Sequence, residues 1–237
     1  MHLTRTLLSS LPLLASCAAS ASVSTATSTP LSFGQNYAVL NLDLINGVVA
    51  PLANTTEGRK WINSTATWID AVHKQSPPPL SIYTRIYYSS AAAPELSPST
   101  PFYQVAAAFG NLTEQSPVSH IYPAFAPDDS EDSRDVVLRK SRYYAGDGNS
   151  LEEILRTRGV EKVILSGLST SGVLLATAYQ LFDLDYFVYV ISDNTIQPNS
   201  PATKDAILKD ILPRLPVTVI SLEEALEALE NSGPVKW

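Results

Sequence analysis

The 237-residue sequence predicts an α/β domain with three layers, in which helices cover both faces of a mostly parallel sheet. Two observations carry that prediction. Short apolar runs such as Tyr37–Leu42 and Val163–Leu165 fit strands buried on both faces, and helical segments of about 10 to 15 residues separate them. Strand–helix–strand repeats of this kind form parallel sheets with right-handed crossovers. Composition agrees: 45% of residues are hydrophobic and only 16% are charged, enough apolar material for one sizeable core.

The N-terminus comes first. Arg5, the apolar run from Leu7 to Leu14 and the small residues from Cys17 to Ala21 read as a secretory signal peptide. The run is too short for a membrane anchor, which needs roughly 20 residues. We expect residues 1–21 to be the signal peptide, 22–34 a flexible leader rich in Ser, Thr and Ala, and 35–230 the folded domain. Secretion fits three Asn-x-Ser/Thr sequons at Asn54, Asn63 and Asn111, which are candidate glycan sites, and together they fit a eukaryotic, for instance fungal, secreted protein. The sole cysteine, Cys17, would leave with the signal peptide, so the mature chain would hold no thiol.

Within the domain, strands are expected at 37–42, 80–87, 118–122, 135–140, 162–167, 186–192 and 217–220. Trp61, Ile62, Thr65, Trp68, Ile69 and Val72 recur at helical spacing, and Pro77–Pro79 end that helix. Residues 89–118, with four prolines, form a long irregular insertion carrying a short helix near 101–109, the kind of segment that walls a pocket. Ser150 with Glu153, and Ser221 with Glu224, are capping-box patterns that open two further helices. Helices are also expected over 170–181 and 201–212. The acidic loop from Asp128 to Asp132 lacks the ligand spacing of a calcium loop and reads as a solvated turn.

Ligands of open α/β sheets bind beyond the carboxyl ends of the strands. Asp43 directly follows one strand, Lys140 ends another, and Gly167–Gly172 joins a third to its helix. An acid, a base and a turn with free N–H groups would then face one crevice. Each has an ordinary alternative: an Asp after a strand can be a turn residue, a Lys can be solvated, and a Gly/Ser/Thr turn can simply cap a helix. A net charge of -7 argues against nucleic acid and anionic membrane as partners and leaves a small molecule.

These segments resemble those of the isochorismatase-like (cysteine hydrolase) superfamily. Asn41-Leu42-Asp43-Leu44-Ile45-Asn46 is similar to its opening motif, Val136–Tyr144 to its lysine segment, Gly167–Ala178 to its signature turn and helix, and Tyr186–Asp193 to the strand and aspartate that follow. The resemblance implies a Rossmann-like isochorismatase fold on a six-stranded sheet, with Asp43 and Lys140 as two of three catalytic residues. The third, a cysteine, would align with Val173, or with Gly172 under a one-residue shift. This chain therefore resembles a cysteine-free branch, which true isochorismatases also represent. The family implies a non-proline cis peptide near Leu168–Thr170 and frequent homo-oligomers. The metal-binding histidine motif of nicotinamidases is missing from Thr84–Tyr88, so neither metal nor other cofactor is expected.

Thioester chemistry needs a thiolate. Ser169, Thr170 and Ser171 lack a nearby base, because His73 falls in an early helix and His120 at another strand end. Vinyl ether hydrolysis needs no nucleophilic side chain: an acid protonates the enol carbon and water attacks the cation. Asp43 would be that acid and Lys140 its partner. Ser169, Thr170, Ser171, Gly172 and Val173 would line the substrate, and Arg85 and Arg142 would clamp an anionic group. The expectation is thus a hydrolase of a small, anionic metabolite. The alternative is a catalytically silent protein of the same fold that binds a ligand or partner.

Overall fold

A computed structural model describes residues 30–110 and 112–235. In chain order the elements are β1 (Tyr37–Leu42), α1 (Asn46–Val49), α2 (Thr56–His73), β2 (Leu80–Ile86), α3 (Pro101–Ala106), β3 (Asp135–Lys140), α4 (Leu151–Thr157), β4 (Lys162–Leu168), α5 (Leu175–Asp183), β5 (Phe187–Ile196), α6 (Pro201–Ala206), β6 (Thr218–Ile220) and α7 (Leu222–Glu230). The six strands form one sheet in the order β3-β2-β1-β4-β5-β6, and every neighbouring pair is parallel. Strand order reverses between β1 and β4, which places a ligand crevice at their carboxyl ends.

Side chains alternate between two cores across the sheet, as the period of a strand requires. Ala38, Leu40, Leu42, Val163 and Leu165 point to the side where Leu151, Leu155, Leu174, Ala178 and Leu181 pack. Val39, Ile164 and Ile191 point to the other side, against Trp61, Trp68 and Ile69 of α2 and Leu229 of α7. Both tryptophans are buried, so core packing is their use. Beneath the crevice a polar tie crosses three strands: Asn41 Nδ2 donates to Ser81 Oγ at 3.1 Å, and Ser166 Oγ donates to Asn41 Oδ1 at 3.0 Å.

Several sequence expectations need correction. The segment 118–122 is not a sheet strand. Pro117 and Pro123 bracket it and start tight 3₁₀ turns, while Ile121 makes an isolated antiparallel bridge with Ile45 above β1. The leader ends earlier than residue 34: Phe33 is 1% exposed and packs on Tyr37, Trp68 and Tyr189, and its N–H donates to Ser232 Oγ. At the other end the fold extends to Val235, which packs against the core near α2 and α7. Ser150 makes no cap bond; Asn149 Oδ1 accepts the Leu151 N–H instead, at 2.9 Å. The second box forms as expected, with Ser221 and Glu224 bonded reciprocally. The helix after β4 opens with a π-turn, Thr170–Leu174, and the helix after β5 continues from α6 as a second one, Ile207–Ile211. Tyr88, just past β2, is buried with Ile45, Ile86, Ala106 and Leu112 in a small third cluster under the insertion. The expected signal peptide and Asn111 lie outside the described residues, whereas Asn54 and Asn63 are both exposed.

Candidate active site

The chain leaves β1 at Asp43 with φ 55°, a left-handed conformation that few residues other than glycine adopt and that aspartate tolerates better than most. This turns the carboxyl across the end of the neighbouring strand β2. There Thr84 meets it twice: the Thr84 hydroxyl accepts from the Asp43 N–H at 3.0 Å and donates to Asp43 Oδ1 at 2.8 Å. Lys140 ends β3, one strand further out and opposite Ile86, so its long stem passes over β2 to reach the same carboxyl. Lys140 Nζ lies 2.6 Å from Asp43 Oδ2, and the lysine side chain is 0% exposed. The ammonium also donates to the Arg142 carbonyl at 2.8 Å and the Tyr143 carbonyl at 3.3 Å. An ammonium has three N–H groups, and all three are engaged. Lys140 therefore holds Asp43 and the loop after β3, with no N–H left for a substrate carboxylate.

Burial pushes the Asp43 carboxyl above the usual carboxylate range, while the Lys140 charge and the bonds from Lys140 and Thr84 pull it back. The direction is the one an acid needs if it is to carry a proton nearer neutrality. An unusual backbone conformation and a desolvated, paired carboxyl at the mouth of a cleft together mark a candidate site.

Opposite Asp43 stands the turn after β4. Gly167 has φ 132°, and a Cβ there would lie 2.2 Å from the Leu42 carbonyl oxygen, so only glycine lets β4 press this closely on the end of β1. The register shifts by a bulge between Leu165 and Gly167. The Leu168–Ser169 peptide is cis, within the stretch where the resemblance placed one. Gly172 serves a second close approach, since a Cβ there would meet Ser169 Oγ at 2.7 Å and the Tyr143 ring at 2.8 Å.

Between these parts lies a cavity of about 430 Å³. Asp43, Ser169 and Val173 line it, so the position where the resemblance places a cysteine does face the space, as an apolar isopropyl group. Thr170 and Ser171 do not line it. Thr170 Oγ1 is 2.9 Å from Thr195 Oγ1, the Ser171 N–H donates to Gln197 Oε1 at 2.8 Å, and the Gly172 N–H donates to the Ser169 carbonyl at 3.2 Å. Two of the expected inward N–H donors are thus spent elsewhere, one on Gln197 beyond β5 and one within the turn.

Arg85 and Arg142 also lie off the cavity, which corrects the expectation of a guanidinium clamp. Arg85 donates to the carbonyls of Glu114 and Ser119 and to the Ser119 hydroxyl. Arg142 donates to the carbonyls of Ser141 and Glu95 and stacks on Phe102. Both pin the proline-rich insertion to the sheet, helped by the Arg139–Glu95 ion pair. The reason is chemical: the irregular insertion exposes unpaired carbonyls, and guanidinium donors satisfy them. The pinned insertion then presents Phe102, Val105 and Phe109 as one cavity wall. Thr84 has no signal in the sequence, because an isolated threonine in a buried strand carries no spacing that marks it. The wall was expected in outline, from the long insertion and its short helix near 101–109, but the residues that form it were not.

The isochorismatase domain family matches residues 37–224. Among curated proteins, ureidoacrylate amidohydrolase RutB of Methylorubrum extorquens is 31% identical over 77 residues, covering 32% of this chain and 31% of that protein. The RutB protein of Klebsiella pneumoniae is 34% identical over a stretch of the same length, covering 32% of this chain and 33% of its own. These matches span about a third of the relatives' length. An isochorismatase family protein from Burkholderia thailandensis superposes with a TM-score of 0.67 at 24% identity, covering 85% of this chain and 100% of that one. N-carbamoylsarcosine amidase from Thermoplasma acidophilum gives 0.62 at 20% identity, covering 79% and 97%. At such identities the likeness is one of fold.

Proposed function

This chain belongs to the isochorismatase domain family, and on that premise we propose that it hydrolyses a small metabolite with Asp43 and Lys140 and without a cysteine nucleophile. One observation carries the reading: the buried Asp43–Lys140 pair, 2.6 Å apart, sits at a cavity whose nucleophile position is Val173. A silent binding protein would not need an acid and a base within hydrogen-bond reach beside that cavity.

Enol ether hydrolysis suits these residues. Protonated Asp43 gives its proton to the terminal enol carbon, leaving an oxocarbenium ion beside the new carboxylate. Lys140 and Thr84 hold that carboxylate at both oxygens, so the charge pair forms without reorganisation. Water adds to the cationic carbon and returns a proton to Asp43. The hemiketal then separates into a ketone and an alcohol, and no bond to the protein forms at any stage. RutB is an amidohydrolase by name, so amides belong among the substrates tested.

The experiment is a hydrolysis screen of enol ethers, esters and amides with the purified protein. Activity that survives thiol-blocking reagents and is lost in Asp43→Asn supports the proposal. Absence of turnover on every class, or turnover unchanged in Asp43→Asn, refutes it. We propose in addition that residues 1–21 direct secretion and that the exposed Asn54 and Asn63 carry glycans. N-terminal sequencing of the secreted protein and its mass shift on endoglycosidase treatment test this.

A further inference from the structure

The cavity beside Asp43 has an unusual chemical character for a site expected to bind anions. Among the described residues that line it, Asp43 and Tyr143 alone are ionisable, and neither is a cation. One wall is Phe102, Val105 and Phe109 of the insertion, and the facing wall includes Ile45, Val48 and Leu52 around α1. The cations around the cavity are committed elsewhere, Arg59 included, which donates to the Ala53 carbonyl. Lys140 has spent its three N–H groups, and Arg85 and Arg142 are bonded to carbonyls of the insertion and the loop after β3. A carboxylate in this space would lose hydration without gaining a cationic partner, with only the uncharged polar groups of Thr55, Tyr143, Ser169 and Asn199 on offer, and it would face the Asp43 carboxyl. Unpaired charge in an apolar enclosure is strongly disfavoured. An uncharged aromatic or branched aliphatic body loses nothing comparable and gains contact with both walls.

The geometry points to an uncharged substrate, with an aromatic or branched apolar body between the insertion wall and α1 and its hydrolysable group at Asp43 and Ser169. This rests on the proposed hydrolase reading for the assignment of the reacting end. It replaces the anionic metabolite expected from Arg85 and Arg142. Pocket size agrees, since about 430 Å³ falls in the usual range for small ligands.

Equilibrium binding of a matched pair tests it independently of turnover. Benzamide and benzoate share shape and differ in charge, and each is titrated against the full-length protein at pH 7 by ligand-observed NMR or calorimetry. The expectation is that benzamide binds and benzoate binds at least ten-fold more weakly. Val105→Arg, which sets a cation on the wall, should narrow or reverse that ratio and so locate both ligands in this cavity. Benzoate binding as tightly as benzamide, binding of neither, or a ratio unmoved by Val105→Arg overturns the inference. If the ratio behaves as stated but no substrate turns over, the inferred ligand class stands and the hydrolase reading falls. If anionic substrates turn over as fast as neutral ones, the reverse holds.

Discussion

Replacing Lys140 with methionine keeps most of the aliphatic stem and removes the ammonium. In the folded protein the ammonium is 0% exposed and donates three hydrogen bonds, one of them to a carboxyl that is itself 11% exposed. Removing one member of a buried ion pair costs about 3–5 kcal/mol, because the other charge is left without compensation. Asp43 would keep only the Thr84 hydroxyl on its carboxyl. It has one escape, which is to take up a proton. Loss of the Lys140 charge removes the main influence holding its pKa down, so the folded-state value, already raised, rises further. A group whose folded pKa exceeds its unfolded value contributes stability at low pH and loses it as pH climbs through the folded value. The deficit of Lys140→Met against wild type should therefore be about 3–5 kcal/mol at pH 8 and clearly smaller at pH 5. It should change by up to about 1.4 kcal/mol per pH unit while one proton separates folded from unfolded chain. Urea unfolding at the two pH values measures this, and Asp43→Asn/Lys140→Met should be more stable than Lys140→Met alone at pH 8. A deficit under about 1 kcal/mol, or one independent of pH, would refute the view of these residues as a buried coupled pair.

Other substitutions probe the frame around the site. Gly167→Ala would set a Cβ 2.2 Å from the Leu42 carbonyl at φ 132°, and a loss of about 3 kcal/mol or more, with collapse of site activity, is expected by thermal unfolding. Ser221→Ala breaks a formed capping box and should cost about 0.5–2 kcal/mol, whereas Ser150→Ala should stay within about 0.5 kcal/mol because no cap bond is lost. Equal losses would contradict the difference between the two helix starts. At the opposite end of the sheet, the hydrogen bond that His73 Nε2 donates to Asp135 Oδ2 raises the His73 pKa, with burial opposing and the Asp135, Asp128 and Asp70 charges adding to the rise. That contribution is present below the unfolded value of 6.5 and fades as pH rises through the folded value. His73→Gln should flatten this part of the stability–pH curve, by less than about 1 kcal/mol because the imidazole is partly in water. An unchanged curve would exclude His73 as its source.

Most of the architecture was legible in the sequence because its signals are local. Predominantly apolar runs marked the central strands, and the 3.6-residue period of Trp61, Trp68 and Ile69 marked the long helix. Asp43 and Lys140 were legible because the rule of strand carboxyl ends converts a position in sequence into a position in space. Side-chain allegiance was not. Ser150 and Ser221 carry the same local pattern, yet a neighbouring asparagine takes over the cap at one of them. Arg85 and Arg142 looked like clamps because an arginine near a site has free donors on paper. Only the fold shows which carbonyls of the insertion they satisfy. Residues 118–122 have strand composition, but they pair only with the short stretch Leu44–Asn46 just past β1, at one isolated bridge. In each case the deciding contact joins residues far apart in the chain or competes with an equal local alternative.

Asp43 is proposed to supply the proton for a hydrolysis that needs no thiol, in a largely apolar cavity without a lining cation. The most direct test is acetophenone release from α-methoxystyrene, a neutral aromatic enol ether that yields acetophenone and methanol with water. Wild type should exceed the buffer rate, unaffected by iodoacetamide, with a rate that falls as pH rises through a value above the ordinary carboxylate range. Asp43→Asn should return to the buffer rate. Wild-type release at the buffer rate, or release by Asp43→Asn equal to wild type, would rule out Asp43 as the proton donor.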